Sequence, residues 1–331
     1  MTSQEIVRSA IQHKESPVIP RAITLTGEAQ EKYGCDLLAD YGTRQICEDF
    51  HEGRLDLSQA ISLAIGNHIV DVGPPWWNWF GLTEEFTKCE DTPQGLPQSI
   101  GCGSYEKFFE QIAYLRKTYN PYILVTVWGS HWEKAYFARG IENFLADLAA
   151  DPEWSQRLLD TIIRKNMVML ENFVSEEEID GVLLGSDWGS QKDLLMSPDC
   201  WRNMILPGEK REYELVHAHG KDVFVHSCGC VLRILGELAE AGVDVLNPVQ
   251  PECMDLDFLK ENFGAGLTFY GGISTQTTLP FGTPEQVAAE VRNVAKKMSR
   301  GGGYILSPSQ GIQADVSYEN IRALIDAARE N

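Results

Sequence analysis

His226 and Cys228, two positions apart in the run HSCGC, are the residues of this sequence best suited to carry chemistry. Side chains alternate faces along a strand, so an imidazole and a thiol at this spacing project the same way. Such a pair suits zinc, which takes neutral histidine nitrogen and thiolate sulfur at about 2.0 to 2.3 Å and, in a catalytic site, keeps one of four positions open. Cys230 continues the series and is the first candidate for a third ligand, although Gly229 ends the strand ahead of it and leaves its direction open. Asp187 and Glu252 are the other donors able to reach. Without a metal, the same residues read as a hydrogen-bonded histidine beside a buried cysteine. His217 and His219, in HAHG, resemble a metal pair but fall where a helix ends, a position that favours histidine through the helix dipole.

The elements that must position this pair alternate along the chain. Eight β-rich runs, at 17–25, 68–73, 122–129, 180–188, 222–229, 244–250, 267–274 and 304–311, are separated by stretches of helical periodicity such as 103–119, 155–174, 233–242 and 284–300. Strands alternating with helices imply a parallel sheet with crossover helices, and eight of them predict an α/β fold of the (β/α)₈ TIM-barrel type, a single domain over 1–331. Helix starts are marked at Ser197-Pro198, Thr283-Pro284 and Ser317. In such a barrel the chemistry sits at the C-terminal strand ends. Those ends would supply Trp76 and Trp77, then Trp128 and His131, then Asp187 and Trp188. After His226 and Cys228 follow Asn247 and Gln250, Ser274 and Gln276, and finally Ser309 and Gln310. The long stretch from Pro74 to Cys102, with PPWWNWFG, reads as a lid or binding loop after the second strand, or as tryptophans covering the barrel or a dimer contact.

Composition narrows the partners. Hydrophobic residues make up 43% and charged residues 23% of 331, which is material for a large soluble core. A formal charge of -20 opposes nucleic acid and anionic membranes, both of which need a cationic field. No stretch approaches the ~20 apolar residues of a membrane span, and MTSQEIVRSAIQHKESP lacks a signal-peptide core. A cytoplasmic protein is therefore expected. The eight cysteines are scattered through a large chain, as in a reducing compartment, and are not arranged as a disulfide framework.

The runs DGVLLGSDWGSQKDLLMSPDCWRNMILP, FVHSCGCV, AGVDVLNPVQP, LTFYGGISTQTTLPFGTPEQV and GGGYILSPSQGIQADVSYENIRALIDA together resemble the uroporphyrinogen decarboxylase superfamily across nearly the whole chain. The resemblance implies the barrel and a homodimer. It also offers two chemistries. True decarboxylases carry two N-terminal arginines around Gln-Ala-Gly, where this chain has Pro20-Arg21-Ala22 and a single arginine, and a histidine after strand eight, where it has Gln310. The zinc-dependent, corrinoid-linked methyltransferases carry His-x-Cys after strand five, matched by His226 and Cys228, and a further cysteine that again falls on Gln310.

The methyltransferase branch is the nearer match. It implies transfer of a methyl group between a small methylated ether, amine or thiol and a corrinoid cofactor on a partner protein, assisted by zinc. Asp187 would serve as acid, base or orienting carboxylate. Trp76, Trp77, Trp128 and Trp188 would make an apolar wall, and Tyr136 lies near the family's substrate-facing tyrosine. The rival readings are a metal-free lyase of a small carboxylic acid acting through Asp187 and Arg21, and a non-catalytic binder of a tetrapyrrole or corrinoid protein.

Overall fold

The computed structural model describes residues 1–77 and 103–330. The segment 78–102, which holds most of the expected lid together with Cys89 and Cys102, lies outside them. Contacts divide the chain into two compact units: Met1–Asp71, Tyr114–Ile123 and Asp244–Asn331 form unit 1, and Val72–Ala113 with Leu124–Val243 forms unit 2.

The described residues contain seven strands. These are β1 (Ile69–Val72), β2 (Tyr122–Val127), β3 (Gly181–Gly185), β4 (Asp222–His226), β5 (Val245–Val249), β6 (Thr268–Ile273) and β7 (Tyr304–Pro308). They correspond to the second to eighth strands expected from the sequence.

In unit 2, β2, β3 and β4 are parallel neighbours. VLLG of β3 and VFV of β4 are buried throughout, as strands covered on both faces must be, and this is why they read as continuous apolar runs without alternation. The β3–β4 register runs from Gly181↔Asp222 to Gly185↔His226. Both strands therefore end at one level, and the residues that follow them, 186–188 and 227–228, emerge side by side. Three helices of unit 2 matter for the site: α1 (His131–Arg139), α2 (Pro152–Glu171) and α3 (Leu206–Ala218). Asp151 caps α2 by accepting the Trp154 N–H at 3.1 Å, with Pro152 at the first helical position. Ser130 precedes α1 without capping it, because its hydroxyl pairs with that of Ser186 and ties the ends of β2 and β3 together. His217 and His219 lie at the C-terminal end of α3, as the sequence predicts.

In unit 1, β5, β6 and β7 are again parallel neighbours. α4 (Pro284–Met298) opens on a Thr283/Gln286 capping box, and α5 (Tyr318–Arg329) on Ser317.

The expected first strand, 17–25, is not a strand. It makes only two isolated parallel bridges, Arg21↔Leu306 and Leu25↔Ile312. Pro17 and Pro20 have no N–H to donate to a ladder. On the side away from β7, the Arg21 carbonyl accepts the His68 N–H at 2.9 Å, and side chains meet further backbone groups: Asn67 bonds both the N–H (2.9 Å) and the carbonyl (2.8 Å) of Ile23, and the His68 ring accepts the Arg21 N–H at 3.2 Å.

Candidate functional site

The level ends of β3 and β4 bring three donors together. One atom each of Asp187, His226 and Cys228 lies within 4.8 Å of the others. Cys228 Sγ is 3.4 Å from His226 Nε2, and Asp187 Oδ1 is 3.7 Å from the same nitrogen. A tetrahedral zinc with bonds of the usual length separates its nitrogen, sulfur and oxygen ligands by about 3.3 to 3.6 Å. The donors present therefore suit zinc in type, the sulfur–nitrogen separation falls within that range and the oxygen–nitrogen one just beyond it, and all three residues are partly open to solvent, as a catalytic site with a vacant coordination position requires.

The cluster is held by backbone. Asp187 Oδ1 accepts the Cys228 N–H at 2.8 Å, Ser227 Oγ accepts the Trp188 N–H at 3.1 Å, and the Cys230 N–H donates to the Ser190 carbonyl at 2.7 Å. At the crossing of the two loops, glycine faces glycine. A Cβ on Gly189 would lie 2.6 Å from the Cys228 carbonyl oxygen, and one on Gly229, whose φ is +83°, would lie 2.5 Å from the Gly189 carbonyl carbon. We expect Gly229→Ala to lower stability by about 2 kcal/mol, through positive-φ strain and loop separation, and to weaken zinc uptake with it. A thermal melt read beside a zinc titration checks both effects.

The structure sorts the remaining candidates. Cys230 is buried and is not a member of the donor cluster. Gly229 turns the chain after Cys228, so the i, i+2, i+4 series stops there, and Asp187 stands where the third sulfur was expected. Glu252 lies in unit 1, where it accepts from the Ser274 hydroxyl. Tyr136 approaches the cluster: its hydroxyl donates to Glu133 at 3.2 Å, and burial together with the charges of Glu133, Asp187 and Cys228 raises its pKa.

The four-tryptophan wall is corrected in two places. Trp188 is fully buried, edge-on to Trp201 at 5.5 Å, and Trp77 is buried with its indole N–H donating to Asn166 at 3.2 Å. Both are core residues, whereas Trp76 and Trp128 are exposed. His131 is also buried and faces Glu209 rather than the donor cluster. Asn247, Gln250, Gln276 and Gln310 all belong to unit 1, with Gln276 and Gln310 exposed and Gln250 buried.

Glu133 is the residue that sequence reasoning missed. It is buried, and desolvation followed by the nearby Asp187 charge pushes its carboxyl up to about 7. Its position was readable: HWEKAYFAR follows β2 directly, and the third residue of a helix entering at a strand end points back over that end. Arg21 also finds its place. Its guanidinium lies near Gly66 and Arg329, ahead of the start of β1, and burial beside Arg329 lowers its pKa to about 10. A carboxylate-binding arginine would be needed at the opposite strand ends.

These features define a parallel α/β protein with a nitrogen, sulfur and oxygen donor set at its strand ends. Residues 87–331 match the family described as uroporphyrinogen decarboxylase (URO-D), and the chain belongs to that family. It is 32% identical over 136 residues to the methylcobamide:CoM methyltransferase MtaA of Methanosarcina barkeri, covering 41% of this chain and 38% of that protein. It is 22% identical over 222 residues to the methylated-thiol–coenzyme M methyltransferase of Methanosarcina mazei, covering 65% of this chain and 56% of that one. The chain thus spans only part of the length of each curated relative. A solved methyltransferase from Methanosarcina mazei shares the fold, with a TM-score of 0.71 at 19% identity over 100% of this chain and 99% of that one.

Proposed function

We propose that the protein is a methyltransferase that moves a methyl group between a small methylated ether, amine or thiol and a corrinoid cofactor carried by a partner protein, with zinc held by Asp187, His226 and Cys228. This reading takes residues 1–331 as one (β/α)₈ domain acting as a homodimer. The observation that carries it is the convergence of one oxygen, one nitrogen and one sulfur within 4.8 Å of one another on the ends of β3 and β4. The names of the relatives that match this chain support the same reaction class.

Bound zinc would supply Lewis acidity at the heteroatom that gains or loses the methyl group. The chain's own residues do the rest. The Cys228 N–H holds Asp187 in place, so its carboxylate stays beside His226. Were the methyl group of an ether or amine passed to the partner's corrinoid, the departing oxygen or nitrogen would need a proton. Glu133, half protonated near neutral pH and hydrogen-bonded by Tyr136, holds that proton at its carboxyl oxygen. In the thiol-methylating direction the same carboxylate receives one. The exposed face of Trp128 offers an apolar surface at the end of β2.

The test uses zinc-loaded full-length protein with free methylcobalamin and a simple thiol, following loss of the cobalt–carbon absorbance. Turnover that stops on chelation and returns with zinc is the expected result. No methyl transfer in either direction with thiols, amines or ethers, at one equivalent of bound zinc, would sink the proposal.

A further inference from the structure

Unit 2 contains a second group of metal-ligating side chains, separate from the donors of Asp187, His226 and Cys228. His131, which begins α1, and Glu209 and Glu212 of α3 each offer an atom within 4.8 Å of the others. All three residues are wholly shielded from solvent, at 0% exposure. The two acids stand three apart on α3, so their carboxylates leave one face of the helix. Bare backbone lies under the imidazole: a Cβ on Gly208 would come within 2.8 Å of His131 Nε2. The run LPGEKRE thus supplies the room and both carboxylates in one helical turn.

The hydrogen bonding of this group is incomplete. His131 Nδ1 is 3.2 Å from Glu209 Oε1, yet neither ring nitrogen makes a well-formed hydrogen bond, nor does Glu209 Oε1, and Glu212 has only the Asn166 side chain beside it as a donor, without good geometry. Glu209 Oε2 accepts from the Tyr213 hydroxyl at 3.0 Å. An imidazolium paired with a carboxylate would aim an N–H at an oxygen. The polar atoms of the three side chains converge with their hydrogen bonding incomplete, and buried carboxylates left so are costly. The Lys134 ammonium, also buried, donates to the carbonyls of Trp128 and Gly129 and brings a single positive charge against Glu133, Glu209 and Glu212.

We infer that His131, Glu209 and Glu212 form a structural divalent-cation site, binding zinc or manganese through one imidazole nitrogen and two carboxylates. Two carboxylates neutralise a dication. The absence of sulfur makes this set harder than the donor set at the strand ends, so it accepts manganese where Cys228 favours zinc. The cation joins the first residue of α1 to α3 and so fixes the helix that carries Glu133 and Tyr136. The inference rests on this geometry alone and does not depend on the reaction proposed above.

Metal content, measured by mass spectrometry after loading with Zn²⁺ and gel filtration, tests it. We expect about two zinc per chain in the wild type, and about one each in Cys228→Ser and Glu212→Gln. Cobalt distinguishes the sites by spectrum. Co²⁺-loaded Cys228→Ser should keep visible ligand-field bands without the near-ultraviolet thiolate band, and Glu212→Gln should keep the thiolate band. A folded Glu212→Gln chain holding as much zinc as the wild type overturns the inference. Should Glu212→Gln fail to fold, the Cys228→Ser chain decides: no bound metal and no Zn²⁺-dependent rise in its melting temperature would equally overturn it. A wild type whose single zinc is lost in Glu212→Gln but kept in Cys228→Ser upholds this site and defeats the strand-end one.

Discussion

Replacing Cys228 by serine lowers methyl transfer by more than about 100-fold at a fixed, limiting zinc concentration. Changing a residue that merely supports a metal ligand costs about 10- to 100-fold in affinity or activity, and here the ligand atom itself is exchanged. Serine keeps the size of the side chain and the Cys228 backbone N–H bond to Asp187, so the loop should hold its shape. What goes is the thiolate, the only soft donor of the three, and with it the preference for zinc over harder ions. Zinc affinity by competition with a chromogenic chelator, read beside the rate, checks this. A Cys228→Ser chain with wild-type zinc affinity and rate would show that Sγ, 3.4 Å from His226 Nε2, is not a ligand.

The second large effect concerns stability. The Glu133 carboxyl is raised from 4.5 to about 7, first by burial and then by Asp187. A group whose folded pKa lies above its unfolded one favours the native state fully below the unfolded value, and that advantage is lost as pH rises through the folded value. The wild type should therefore lose about 3 kcal/mol between about pH 4.5 and pH 7 on this account and remain at the lower level above it. Glu133→Gln carries no such charge. In chelated protein it should be more stable than the wild type by about 3 kcal/mol at pH 8 and near equal at pH 4. Urea unfolding of both chains at the two pH values measures the difference, and parallel pH dependence would remove Glu133 as the titrating group. The same variant should lose the pH dependence of transfer near neutrality.

Seven of the eight expected strands are present because each is an apolar run of strand length bounded by turn residues, and burial on both faces demands that signature. The segment 17–25 carried the same β-branched composition. Its prolines, and the side chains of Asn67 and His68 some forty residues away, decided otherwise, and no local pattern announces a partner that distant. The His226 and Cys228 pair was legible because their spacing is local. The third donor was legible only as one of several, Cys230, Asp187 or Glu252: what singles out Asp187 is the register of β3 against β4, which the sequence of neither strand contains. The tryptophans misled for a related reason. Being next to a strand end fixes where the backbone of Trp188 lies but not whether its indole turns outward, and Trp201 supplied a buried partner for it. Glu133 was overlooked because a lone acid on a helix usually faces water, and only the packing of α1 over the ends of β2 and β3 puts it inside.

The glycine-to-glycine crossing of Gly189 and Gly229 has a consequence for how this chain can diversify. Because Asp187 and Cys228 are set by main chain meeting main chain, drift in the surrounding side chains leaves the donor geometry untouched. If the proposed function holds, new substrate preferences can then arise at Trp128 and Tyr136, beside the end of β2 and on α1, without disturbing the proposed metal-binding corner. On the proposed function, the reagent would be inherited with the backbone, and the choice of what it acts on left to the residues around it.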